Sequence, residues 1–424
     1  MASLSLAQVG CGGMGLRHVY GLMELRTQGF DVFDLVALCD KQLSAVEHVA
    51  SEAEMVLGKR PKTYTDFDEM LQKEPGVDAV DVVTDTRFHH VFTIKALEAG
   101  KHVAVQKPMA LTVRACRRMI ETAKRVGKIL SVSETSRRDP ANRLIRALLE
   151  YKVLGEPRLA VNMGFSGTRT LGHGGGGAWR HMKLRGGYFV EHGVHTADLL
   201  LYYLGDVSTV YAQTALWEKV RHTIDRPAQM LETVYGHRVK EDIDQGETVE
   251  CTAEDTALAM LQFSSGALGQ WSLSIATPGQ PTNASVIYCS EGSIALRNPV
   301  QVTRAGEEHS LSDEEILALV PHYQLDDLTA PFFQGERRLS SHRLPWTEGD
   351  RKLAAMQRLD FGQAILEDRE PEVTGETGMK GLALCYAILE SGYVGKPISF
   401  DDVVEDRVNA YQEEINHDAE LASV

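Results

Sequence analysis

The run Leu4-Ser5-Leu6-Ala7-Gln8-Val9-Gly10-Cys11-Gly12-Gly13-Met14-Gly15 decides the fold of this chain. Its first six residues predict a short strand, Leu4–Val9, and a helix follows from near Met14. The glycines therefore occupy a strand-to-helix turn. Gly10 permits the tight turn, Gly12 lets a pyrophosphate approach the backbone, and Gly15 lets the helix pack closely on the strand. A helix beginning near Gly13 also points free N–H groups and the positive end of its dipole at the same spot. A glycine triplet alone is weak. Between a strand and a helix it predicts a dinucleotide-binding loop.

The alternation continues outward from this unit. Further strands are expected at 35–39, Lys62–Tyr64, 79–83, 102–105 and 129–133, with helices beginning near Gln42, Arg87 and Thr112. Strands alternating with helices predict a parallel, doubly wound α/β sheet, here a six-stranded Rossmann domain over residues 1–137. Asp40 ends the second strand, about 25 residues after Gly15. A carboxylate there accepts hydrogen bonds from ribose hydroxyls and repels a 2′-phosphate, which favours NAD over NADP. Asp40 as the N-cap of the Gln42 helix is the alternative.

The pattern changes after Asp139-Pro140. A helix at 142–151 leads into longer strands with period-two alternation, among them 158–164, Thr256–Phe263 and 269–274. Residues 138–424 therefore read as an α+β domain on a large, mostly antiparallel open sheet, interrupted by a helix from Val190 to about Tyr203. Two stretches look like insertions, 215–249 and 309–351, and 174–177 is a glycine run.

Length and composition agree with two soluble domains. The chain has 424 residues and a formal net charge of −15, which disfavours nucleic acid or an anionic membrane as the main partner. No apolar stretch reaches spanning length, and no signal peptide is read at the N-terminus, so a cytoplasmic location is expected. Cys11, Cys39, Cys116, Cys251, Cys289 and Cys385 are far apart and fit buried free thiols.

The chemistry-bearing residues cluster in a few segments. Ala99–Pro108 reads AGKHVAVQKP and places Lys107 just past a short apolar strand. Glu191, His195 and Asp198 fall at i, i+4 and i+7 and share one helix face, just after Gly186-Gly187. Trp179 and Arg180 follow the glycine run and could fold over a bound nicotinamide or substrate. Glu134 and Arg137 fall outside the carboxyl ends of the strands, where open α/β sheets bind ligands. His192-x-x-His195 could hold a metal, but no third ligand has suitable spacing, so no metal is expected.

In order and spacing these segments resemble the Gfo/Idh/MocA oxidoreductase family. The likeness runs through Gly10–Gly15, Asp40, Thr84-Asp85-Thr86-Arg87-Phe88-His89, AGKHVAVQKP, Arg137–Pro140, Trp179-Arg180, Gly186–Asp198 and 387–395. It implies an NAD-dependent enzyme that moves a hydride between nicotinamide and a secondary hydroxyl of a sugar, glycoside or cyclic polyol. Lys107 and His195 would lie over the nicotinamide, one removing the alcohol proton and the other hydrogen-bonding the same oxygen. Glu191 joins them as a catalytic candidate. Gly10, Gly12, Gly13, Met14, Gly15, Asp40, Thr84, His89, Gln106, Lys107, Trp179 and Arg180 are expected at the cofactor. Lys107, Glu134, Arg137, Arg180, Glu191 and His195 are expected at the substrate. A homodimer or homotetramer is implied as well.

Three residues depart from the family's pattern: Gln106 stands where glutamate is usual, Asp85 where proline is usual, and Glu191 where aspartate is common. A neutral Gln106 would leave Lys107 more easily deprotonated than a glutamate neighbour would. Two other readings remain. Some branches of the family oxidise a sugar ring transiently and eliminate the glycosidic group, for which Tyr188, Glu191 and His192 are available. A non-catalytic nucleotide sensor on the same fold is the other.

Overall fold

The computed structural model describes residues 3–167, 170–172, 177–224 and 248–421. Most of the first predicted insertion and three of the four residues of the glycine run lie outside them.

Strands β1 (Leu4–Val9), β2 (Phe33–Cys39), β3 (Lys62–Tyr64), β4 (Ala79–Val82), β5 (His102–Gln106) and β6 (Leu130–Ser133) form one parallel sheet. Its order is β3-β2-β1-β4-β5-β6, so the chain reverses direction across the sheet between β1 and β4. Leu6, Val9, Leu35, Val80, Val82, Val103 and Val105 are buried, because helices cover both faces. The helices are α1 (Gly13–Thr27), α2 (Leu43–Leu57), α3 (Phe67–Lys73), α4 (His89–Glu98) and α5 (Val113–Val126). The helix expected from Arg87 instead begins as a 3-10 turn, Thr86–Phe88, which Asp85 caps by accepting the Arg87 N–H.

After α6 (Pro140–Glu150), β7 (Pro157–Phe165) enters an eight-stranded sheet. Helix α7 (Gly187–Leu204) interrupts it as expected. A short β8 (Thr170–Gly172) pairs with β10 (Val220–Ile224) and β11 (Thr248–Glu250) in a separate three-stranded sheet. The large sheet is completed by β9 (Val207–Ala215), β12 (Thr256–Phe263), β13 (Leu268–Ser274), β14 (Thr282–Cys289), β15 (Gly292–Ala295), β16 (Gln301–Arg304) and β17 (Ile398–Ser399). Its order is β16-β15-β14-β7-β13-β12-β9-β17, and β13–β7 is the parallel pair in it.

One face of this sheet is covered by α7 and a long helix near the C-terminus, and Trp271 on β13 is buried there. The other face is open. Leu258, Met260, Leu268 and Tyr288 stand on it, 47–62% exposed.

The second predicted insertion contains α8 (Asp313–Leu319), and its expected end at Arg351 falls inside a helix, α9 (Trp346–Glu367). Helix α9 packs along α1 and stacks Phe361 on Phe33 of β2. A segment from the C-terminal third of the chain thus finishes the nucleotide-binding half. The last long helix, α10 (Gly375–Val394), packs on α7 and β9. Among the described residues no helix is long and apolar enough to cross a membrane.

Candidate active site

A cavity of about 1040 Å³ opens at the carboxyl ends of β1, β4 and β5 and runs to α7. Strand order reverses there, the position at which open α/β sheets bind ligands.

The glycine loop forms one end. Gly10 has φ +103°, and a Cβ on it would meet the Val83 carbonyl oxygen at 2.4 Å. A Cβ on Gly15 would meet the Gly10 oxygen at 2.2 Å, so Gly15 serves helix–strand packing and does not line the cavity. Gly12 caps α1 without a side chain, which leaves the first N–H groups of the helix for an anion. Buried Gln8 steadies the turn by donating to the carbonyls of Gly10 (3.0 Å) and Gly15 (3.2 Å).

Asp40 is not the N-cap of α2; Gln42 is. Its carboxylate accepts the Cys11 N–H at 2.8 Å and the Gln42 N–H at 3.0 Å, tying the glycine loop to the end of β2. Asp66 and Asp68 line the cavity beside it, an acidic end that suits ribose hydroxyls and opposes a 2′-phosphate. A dinucleotide without that phosphate fits these residues.

The other end gathers titratable groups. Gly186 and Gly187 have φ of +100° and +73°, and this left-handed entry starts α7 three residues earlier than expected and turns Glu191 inward. Thr86 Oγ1 donates to Glu191 Oε1 at 2.9 Å, while Lys107 Nζ donates to the Glu191 backbone carbonyl at 2.9 Å. Burial raises the Glu191 carboxyl above its ordinary value, against the pull of Lys107 and Arg180. Burial likewise lowers Lys107, against Glu191 and Glu134. It also holds His192 down at about 3, so this imidazole is neutral.

His195 is partly open, its side chain 38% exposed. Its Nδ1 lies 2.9 Å from Glu134 Oε1 and 2.7 Å from Oε2, which leaves Nε2 as the nitrogen available to the cavity. Burial would raise Glu134, but the facing imidazole prevails and holds the carboxyl at about 2.

The structure brings most of the expected residues together on this cavity: Gly10, Gly12, Gly13, Met14, Asp40, Thr84, His89, Gln106, Lys107, Trp179, Arg180, Glu191 and His195 all line it. Two of the expected substrate residues do not. Glu134 stands behind His195 and is buried. Arg137 is held by Asp198 through two bonds of 2.6 and 2.7 Å and stacks on Tyr202, so its guanidinium is not offered to a ligand. His89 is committed as well: its ring bridges the carbonyls of Pro108 (2.9 Å) and Thr84 (3.0 Å). Trp179 and Arg180 stack on each other, with the guanidinium 4.6 Å from the ring centre.

The Gln106 amide faces the Lys107 backbone N–H and His18, and burial is the first cause of the lowered lysine. Arg17, His18, Thr86, Asp350 and Arg358 also line the cavity, and all but Thr86 carry no sequence signal of their own. Arg17 pairs with Asp350 and stacks 5.1 Å from the Trp346 ring centre, so the N-terminal turn of α9 borders the cavity. Thr86 alone could have been found, from its place in the Thr84–His89 segment. Among the described residues no cluster of three or more His, Cys, Asp or Glu could hold a metal ion.

Comparison with known proteins supports this picture. Residues 4–134 match the oxidoreductase family described as having an NAD-binding Rossmann fold, and residues 142–295 match the GFO/IDH/MocA C-terminal domain. The chain is 32% identical over 174 residues to D-glucoside 3-dehydrogenase of Escherichia coli, covering 41% of this chain and 47% of that relative. It is 29% identical over 292 residues to scyllo-inositol 2-dehydrogenase (NAD(+)) of Bacillus subtilis, covering 68% and 72%. A solved levoglucosan dehydrogenase in complex with NADH shares the fold at a TM-score of 0.71 and 19% identity, over 94% of this chain and 99% of that one.

Proposed function

This chain belongs to the Gfo/Idh/MocA family of oxidoreductases, and on that premise we propose that it is an NAD-dependent dehydrogenase. Its substrate is a secondary hydroxyl of a sugar, glycoside or cyclic polyol, the class that the names of its relatives share. The observation that carries the reading is the shared cavity: the glycine loop at one end, and Lys107, Glu191 and His195 at the other. Residues 1–137, completed by α9, supply the cofactor half and the rest of residues 138–424 the substrate half, and the two matched regions meet between 134 and 142.

The bound nicotinamide supplies a hydride acceptor for the alcohol carbon. Lys107 takes the hydroxyl proton: burial favours its neutral amine, and a protonated product is stabilised by the Glu191 carbonyl it already contacts. His195 hydrogen-bonds the same oxygen through Nε2, with Glu134 fixing the ring. Glu191, held by Thr86, accepts a neighbouring substrate hydroxyl. Trp179 and Arg180 shield the site from solvent. Glu134 and Arg137 act through other residues and are positioning residues.

The test is incubation with NAD and a panel of sugars, glycosides and inositols, following NADH and free aglycone together. NADH formation with at least one panel member is expected. Aglycone release without net NADH would replace this reading with redox-assisted glycoside cleavage, and NAD binding with neither product would leave a sensor. The open apolar face of the large sheet suits a second copy of the chain, and a cytoplasmic homo-oligomer completes the proposal. A monomer mass in solution would remove the oligomer.

A further inference from the structure

The residue at 106 is matched to groups that the chain keeps far apart. Gln106 is buried, and both ends of its amide are used. Oε1 accepts the Lys107 backbone N–H at 2.7 Å, and Nε2 lies 2.9 Å from Nε2 of His18. Because the oxygen must face a donor, the amide cannot flip; its NH2 donates and His18 Nε2 accepts. His18 then carries its proton on Nδ1, which lies 2.8 Å from Asp81 Oδ2.

Arg358 completes the set. Delivered by α9 from 277 residues away, it donates to the same Asp81 oxygen at 2.5 Å and touches His18 Nδ1. All four side chains are buried, and His18, Gln106 and Arg358 line the cavity. The charges close within the set: Arg358 matches Asp81, while His18 and Gln106 are neutral. Burial and Arg358 keep His18 below the ordinary histidine value against the opposing pull of Asp81, with Arg17 adding to the lowering.

We propose that His18, Asp81 and Arg358 are positioning residues for Lys107, acting through Gln106, and that the Asp81–Arg358 pair is what makes a neutral amide the fitting residue at 106. This rests on Lys107 as the proton-handling group. A glutamate at 106 would still accept the Lys107 N–H, but its second oxygen would face His18 Nε2, which has no proton to give. His18 would have to become an imidazolium between two carboxylates while facing Arg358. Burial and Arg358 oppose that protonation, and without it the second oxygen would be a buried charge with no donor, so the clamp on Lys107 would shift instead.

Charge relocation tests this. Q106E is expected to bind NAD like the wild type yet lose at least about tenfold in kcat with KM little changed, as misplacement of a reacting group does. In D81N/Q106E the negative charge moves from one end of the chain of bonds to the other. Arg358 can then donate both to the amide oxygen introduced at position 81 and to His18 Nδ1, and His18 Nε2–H can donate to the carboxylate introduced at position 106. Most of the lost kcat is expected to return. The second readout needs no turnover: 15N NMR of the histidine rings, with His18 assigned by its loss in H18N. The wild type should show a neutral His18 protonated on Nδ1, and the double variant one protonated on Nε2.

The proposal is overturned if wild-type His18 is an imidazolium or carries its proton on Nε2. It is equally overturned if Q106E keeps kcat within about twofold of wild type, or if single and double variants lose the same activity while both melt like the wild type. Should Q106E fail to fold, the tautomers of the wild type and the double variant decide. A wild type that turns over nothing defeats the dehydrogenase reading and leaves the NMR result to judge this one.

Discussion

Lys107 and His195 face one cavity from opposite walls, and they are held in opposite ways. Lys107 is half-buried and donates to a backbone carbonyl; His195 is partly open and sits on a buried carboxylate. The lysine is thus tuned by loss of water, which favours its neutral form, whereas the histidine is oriented by the carboxylate at its Nδ1. In the proposed reaction the two groups take complementary tasks: one accepts a proton, and the other hydrogen-bonds the oxygen that loses it.

Breaking the lysine side of this contrast has the largest expected effect. K107M should lower kcat by about 10³-fold, within the range for a positioned acid–base group, while NAD affinity measured by calorimetry stays near the wild-type value. In the wild type, oxidation should rise with pH along a limb below the ordinary lysine value of 10.5, because burial lowers Lys107 and the neutral amine is the active form. Reduction should fall along the same limb.

H195N should cost about 10²-fold in kcat, since the oxygen keeps its proton acceptor and loses only a hydrogen-bond partner. An effect larger than that of K107M would reverse the two roles.

E134Q should cost about tenfold, less than the ~100-fold that a misplaced reacting group can cost, because the ring of His195 remains but is less firmly held. Stability follows the same charge. Glu134 is depressed to about 2, so its pairing with His195 stabilises the fold above the ordinary carboxylate range, and that contribution fades as pH falls toward 2. Wild type and E134Q should therefore differ most in melting temperature near neutrality and converge in acid.

The segments legible in the chain are those whose chemistry is local. The glycine loop works through backbone freedom at Gly10 and close approach at Gly15, within twelve consecutive residues. The face shared by Glu191, His195 and Asp198 follows from helical spacing, and Lys107 from a strand end beside a proline. The chain is silent where a side chain's partner lies far off. Nothing near Arg137 shows that Asp198 will claim it, and nothing near Gln106 shows that its amide reaches His18. The end assigned to the second insertion cut through α9, whose packing on α1 no local period reveals.

By itself the sequence determined the two kinds of sheet and the dinucleotide loop, because each depends on short-range periodicity or on a compact motif. Only the tertiary structure decided which titratable groups are buried, which carboxylate holds His195, and that Arg358 reaches Asp81 beneath Gln106. Desolvation and ion pairing depend on what surrounds a group in three dimensions, and here the surroundings come from α1, β4, β5 and α9 together.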